Sequence, residues 1–156
     1  MAFNPNPNVD YKIMSALSGK VLDVWQGSQA DGAKLVQHQF NGGTNQRWRI
    51  HPVDGENGYY YIMSINSGTV LNMSGFSVEN GAAVIQWPWE NTDNEKFNFV
   101  TMPGYTDIYA IECKHSGKVI NVSGGSLKND ADIIQWDNEW TDNEEWLILP
   151  CDPIPE

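Results

Sequence analysis

The chain is short of positive charge. Only 9 of its 156 residues are Lys or Arg, against 20 Asp or Glu, for a formal net charge of -11. Such a surface repels phosphate backbones and anionic lipid heads, which argues against nucleic acid as a partner and against direct membrane insertion or docking. Cysteine is scarce too. Cys113 and Cys151 are too few for a disulfide framework and stand at no metal-ligand spacing, which leaves one bridge or two free thiols. No apolar run approaches membrane-spanning length, and Met1 to Asp10 has neither the basic nor the apolar region of a secretory signal. The expectation is a soluble protein of cytoplasmic synthesis without a signal peptide, whose release would need a non-classical route. There is no phosphate-binding glycine loop, nucleophile elbow or zinc motif. The three histidines, His38, His51 and His115, do not converge on one Ser or Cys. The chain therefore reads as a non-enzyme with no cofactor and no metal. Helical periodicity is also missing, since no stretch sustains a 3.6-residue apolar pattern.

What is present is a repeat of 49 residues, three times over, without a gap. It carries Ser18-Gly19 onto Ser67-Gly68 and Ser116-Gly117, Ile13 onto Ile62 and Ile111, and Val21 onto Val70 and Val119. It also carries Gln37 onto Gln86 and Gln135, and Trp48 onto Phe97 and Trp146. Each copy holds four short strand signals bounded by Gly, Ser, Asn and Asp. In the first copy they are 11–15, 21–24, 35–40 and 47–51. One copy cannot bury its apolar face, but three closed around an axis leave no open sheet edge. The predicted fold is all-β: a β-trefoil with pseudo-threefold symmetry, its six-stranded barrel capped by three hairpins. The repeats span about 11–53, 60–102 and 109–151 of a single domain, 1–156. Residues 1–10 and the tail after Pro150 read as extended surface segments.

Val21-Leu22-Asp23-Val24, Gly32-Ala33 and Asn41-Gly42-Gly43-Thr44-Asn45-Gln46-Arg47-Trp48 together resemble the ricin B-chain-like (R-type) lectin family. The closing Gln-x-Trp of that family degrades to Glu95-Lys96-Phe97 and Glu144-Glu145-Trp146 in the later copies. The resemblance covers residues 11 to 149. It implies a lectin whose partners are the sugars of glycoproteins or glycolipids, galactose or N-acetylgalactosamine types first. It leaves open a homodimer or a larger toxin or adhesion assembly. It also implies sites residue by residue. An acidic hydroxyl acceptor falls at Asp23, replaced by Asn72 and Asn121. A ring platform falls at His38, Trp87 and Trp136. A second hydroxyl partner falls at Asn45, Asn94 and Asn143, and Gln46 follows as the support of the acidic group, with Glu95 and Glu144 at its place. Gly75 and Gly124 would let backbone approach a ligand. No copy holds the full set, so up to three sites are expected.

The physics agrees with such sites. A sugar shows paired hydroxyls and a C–H face, and is met by a group that accepts and donates beside a flat ring. Blander readings apply elsewhere. Trp48, Phe97 and Trp146 read as barrel core. Gln37, Gln86 and Gln135 alternate to the other strand face from the platforms and read as structural hydrogen-bonding groups. Asn45, Asn94 and Asn143 begin a turn, where Asn is favoured anyway. Trp25, Trp89 and Trp140 read as packing, and the acidic runs 93–95 and 142–145 as solvated turns. Cys113 and Cys151 fall near strands that a trefoil can bring together, so a bridge between them is open. The competing function is a protein-binding trefoil such as a protease inhibitor, which usually loses the repeat symmetry kept here.

Overall fold

The computed structural model describes residues 3–152 and contains twelve strands. They are β1 (Tyr11–Ser15), β2 (Val21–Val24), β3 (Leu35–His38) and β4 (Trp48–Pro52) in the first repeat. The second repeat holds β5 (Tyr60–Ser64), β6 (Val70–Met73), β7 (Val84–Trp87) and β8 (Phe97–Thr101). The third holds β9 (Tyr109–Cys113), β10 (Val119–Val122), β11 (Ile133–Trp136) and β12 (Trp146–Pro150). The only helical segments among the described residues are six single 3-10 turns, and no helix is long and apolar enough to cross a membrane.

The pairings close a ring. β1 pairs β4 and β12, β5 pairs β4 and β8, and β9 pairs β8 and β12, all antiparallel. That ring is the six-stranded barrel. The hairpins β2–β3, β6–β7 and β10–β11 form the cap. The cap is cyclic as well, because Lys34 bridges Ile85, Ala83 bridges Ile134 and Asp132 bridges Val36. The β-trefoil reading of the repeat therefore holds. The third strand of the first repeat stops at His38 rather than Phe40. The Gln39 amide leaves the ladder to donate to the Asn129 side chain at 2.9 Å.

The core follows the repeat. Ile13, Ile62 and Ile111, with Leu22, Leu71 and Ile120, are fully buried around Trp48, Phe97 and Trp146. The two indoles also donate, Trp48 Nε1 to the Leu22 carbonyl and Trp146 Nε1 to that of Ile120. Gln37, Gln86 and Gln135 are sealed inside, as expected of structural groups. Each donates twice to backbone carbonyls of the preceding repeat in the cycle, Gln86 to Ser28 and Ala30 for example, and accepts from the repeat's own turn serine. A buried amide with its partners met ties one hairpin to the next, and its hydrogen bonds offset the cost of its lost solvation.

Two expectations change, for the arm and the acidic runs, and of the two alternatives left open for the cysteines the structure has free thiols. Residues 3–10 are not all surface. Phe3 stacks on Phe99 at 4.2 Å and meets Tyr60 and Tyr109 edge-on, so the arm packs against the core cluster. Cys113 and Cys151 are free. β9 and β12 meet only at Tyr109 and Trp146, and beyond that bridge the antiparallel strands carry the two thiols in opposite directions. The acidic runs are solvated only in part, because Glu95 and Glu144 are fully buried. The tail is held at Asp152, whose carbonyl accepts from Arg47; Pro153 to Glu156 lie outside the described residues.

Candidate functional site

Each site is built where the second strand of a repeat runs into a kinked 3-10 turn. The kink needs a left-handed residue, supplied by Gly75 (φ 64°) and Gly124 (φ 64°) in repeats two and three, but by Gln26 (φ 57°) in repeat one. Glycine adopts that conformation without strain. A second 3-10 turn, Thr44–Gln46, Asp93–Glu95 or Asp142–Glu144, then folds back onto the end of that strand. Asn45, Asn94 and Asn143 clamp it, each donating to the carbonyl of Val24, Met73 or Val122 at 3.1 Å. Thr92 and Thr141 donate to the free ends of Asn94 and Asn143. The asparagines thus hold the turn first, and any ligand contact is secondary.

The floor of the site is a buried pair. In repeat one Gln46 Nε2 donates to Asp23 Oδ2 at 2.8 Å, and Asn45 donates to Asp23 Oδ1 at 3.2 Å. In repeats two and three the chemistry is exchanged. Asn72 donates to Glu95, and Asn121 to Glu144, each at 3.0 Å. Each floor keeps one amide and one carboxylate, with the carboxylate moved from the strand to the turn. Replacement of Asp by Asn at 72 and 121 therefore leaves no mispaired group. Burial raises the pKa of Asp23, opposed by the Gln46 hydrogen bond, and burial raises that of Glu95, opposed by bonds from the Glu90 amide and Asn72. Gln46 itself is fully buried, with its amide shared between Asp23 and the Gln39 carbonyl and its oxygen taken by the Asn41 N–H. It cannot reach a ligand, so it is not itself a sugar-binding residue; it positions Asp23, as the support role implied by the resemblance requires.

The platforms differ between repeats. Trp87 and Trp136 stand at the ends of β7 and β11 and are 36% and 37% exposed, open for stacking. Trp87 Nε1 donates to Glu90 at 2.9 Å, which fixes its indole. Asn72, Ser74, Gly75, Trp87, Glu90 and Asn94 share one cleft of about 380 Å³ with Phe76 and Ile85. Asn121, Ser123, Gly124, Trp136, Glu139 and Asn143 share its counterpart of about 330 Å³. In repeat one His38 is instead tied to Asp130 of repeat three at 3.1 Å. Trp25 occupies the place of Ser74 and Ser123 and lies 40% exposed under the Lys34 ammonium. A cavity of about 530 Å³ borders Trp25 and Gln26, but Asp23, His38 and Asn45 do not line it.

Two acids of these clefts are not expected from the sequence. Glu90 and Glu139 stand where repeat one has Asn41, and a carboxylate in a turn carries no signal of its own. Trp25 and Trp140, expected to pack, are exposed, while Trp89 does pack, stacking on Tyr61 at 4.3 Å. Among the described residues no group of three or more His, Cys, Asp or Glu is placed to hold a metal ion.

Two shallow clefts of one design, each with an exposed indole beside an amide, lie on a closed barrel built from three repeats and suit a repeat-built binding protein. The chain belongs to the ricin-type β-trefoil lectin domain-like family, which it matches over residues 2–87, 53–136 and 93–153. It is similar to ThreeFoil, a designed threefold-symmetric protein, at 35% identity and a TM-score of 0.84 over 90% of this chain and 97% of the other. It is similar to an exo-β-1,3-galactanase from Clostridium thermocellum at 32% identity and a TM-score of 0.87. There the match covers 96% of this chain but only 31% of the enzyme. A ricin B-like lectin from Macrolepiota procera, solved with lactose, shares the fold at 17% identity and a TM-score of 0.79, over 94% and 98% of the two chains. No curated protein matches the chain in sequence.

Proposed function

We propose that the protein is a lectin that binds neutral, galactose-type glycans through the clefts of repeats two and three. The observation that carries this is the pairing of an exposed indole with a floor amide, Trp87 with Asn72 and Trp136 with Asn121, in two clefts of equal design. The indole offers a flat apolar face to sugar C–H groups. The floor asparagine has one N–H committed to its glutamate and keeps donor and acceptor capacity for hydroxyls. Glu90 and Glu139 line the clefts and the chain carries a net charge of -11, which disfavours anionic sugars. The galactose preference draws support from the lactose-bound and galactanase relatives. Repeat one contributes least, since its platform is a histidine held by Asp130.

Each shallow site is expected to bind one sugar with a dissociation constant near the millimolar scale, about -4 kcal/mol. Two on a rigid scaffold reach higher avidity on clustered glycans, by roughly 10²-fold or more where the spacing fits. A glycan array and calorimetric titration with lactose test this. Trp87→Ala and Trp136→Ala should each remove one site and together abolish binding, while Asp23→Ala should leave the lactose stoichiometry unchanged. Full binding by the double tryptophan variant would refute the assignment. Protease inhibition without glycan binding would favour the protein-binding alternative.

A further inference from the structure

The cleft of repeat two departs from its counterpart at one residue, Phe76. The repeat places glycine there in the other copies, Gly27 (φ 66°) and Gly125 (φ 63°). Phe76 adopts the same left-handed backbone at φ 56°, which a side chain with a Cβ disfavours by about 1 kcal/mol or more. The strain is not repaid by burial in the core, because the ring is 49% exposed. It is held by His115 of repeat three. The imidazole meets the phenyl edge-on at 5.5 Å, and its Nε2 lies 2.9 Å from the Phe76 carbonyl. Asn66, the counterpart of His115 in repeat two, likewise bonds the carbonyl of Gly27 in repeat one, at 3.1 Å, but brings no ring. Phe76 in place of glycine and His115 in place of Leu17 or Asn66 thus together fix one exposed ring. That ring lines the same cleft as Trp87, whereas Gly125 does not line the cleft of Trp136.

We infer that Phe76 is a second apolar wall that makes the repeat-two cleft a disaccharide site, with a terminal sugar on Trp87 and the next residue against Phe76. This rests on the lectin reading above. A strained, exposed and externally braced aromatic is what a recognition surface selects and a core does not. The repeat-three cleft, with glycine at that place, holds one sugar ring. The two clefts therefore differ in the length of glycan they read.

The test uses the full chain carrying Trp136→Ala, so that repeat two is read alone, with free galactose and lactose as probes in calorimetry. Lactose should bind more tightly than galactose. Phe76→Gly, which restores the residue of the other repeats and relieves the strain, should abolish that preference. A loss of about five- to tenfold in lactose affinity is expected for one lost aromatic contact, with galactose changed less than about twofold. Phe76→Tyr should keep the preference. Unchanged lactose affinity in Phe76→Gly, where Trp87→Ala still abolishes binding, would overturn the disaccharide site and leave the lectin reading standing. Absence of any sugar binding in the Trp136→Ala chain would overturn both.

Discussion

Asp23→Asn and Gln46→Glu, made singly and together, ask whether the floor pair is one interaction or two. Both oxygens of Asp23 accept, Oδ2 from Gln46 at 2.8 Å and Oδ1 from Asn45 at 3.2 Å. An amide at position 23 must turn its NH₂ toward one of these donors. Flipping Gln46 does not help, because its oxygen already accepts the Asn41 N–H at 2.8 Å. One buried donor–donor contact remains, costing about 1–3 kcal/mol and partly offset by removing a carboxylate whose burial disfavours its charge. Gln46→Glu is worse. It sets two buried carboxylates at hydrogen-bond distance, and the folded state must take up a proton, a cost of about 3 kcal/mol near neutral pH. The double variant has the same pair as Asn72–Glu95 and Asn121–Glu144, and should return to within about 0.5 kcal/mol of the parent. Urea unfolding followed by tryptophan fluorescence reads all four proteins. The pH dependence has a definite sign. The dicarboxylate has a folded pKa above its unfolded value, so Gln46→Glu should regain stability on acidification and lose it as pH rises through that folded value. Asp23 and Glu95, also raised by burial, act in the same sense in the parent: their contribution is full below about pH 4 and is withdrawn as pH rises. Additive single effects, within about 0.5 kcal/mol, would refute the exchange of roles between strand and turn.

Phe3→Ala should lower stability by about 2–3 kcal/mol without altering sugar binding, because Phe3 packs on Phe99, Tyr60 and Tyr109, none of which lines either cleft; thermal unfolding and lactose titration check both halves. In a thiol-reagent assay Cys151 should react in the folded protein and Cys113 only on unfolding. Cys113 is fully buried and burial raises its pKa, whereas Cys151 is half-buried. Reductant should leave the melting temperature unchanged.

The parts legible in the sequence are those that the repeat states three times. Ile13 and Gln37 recur unchanged at 49-residue intervals, and Trp48 returns as Phe97 and Trp146, because each repeat must supply one third of the same barrel and cap, and a core position tolerates little variation in size. The rings of Trp87 and Trp136 and the floor residues Asn72 and Asn121 were legible for a related reason, since they also recur. What escaped notice breaks the repeat or spans it. Phe3 precedes the first copy. Phe76 departs from the glycine of the other two copies, and the place of His115 holds Leu17 and Asn66 in the others, so a threefold reading averages both away. The Asn72–Glu95 exchange joins residues that touch only because a 3-10 turn folds onto the end of β6; each substitution alone resembles the decay of a site, and only the contact shows that one compensates the other. The same logic separates fold from recognition. Substitutions that preserve the hydrogen-bond count, as at Asn72 with Glu95, keep a repeat folded. Substitutions that add strain or exposed surface, as at Phe76, do nothing for the barrel and so mark where the three clefts have been made to differ.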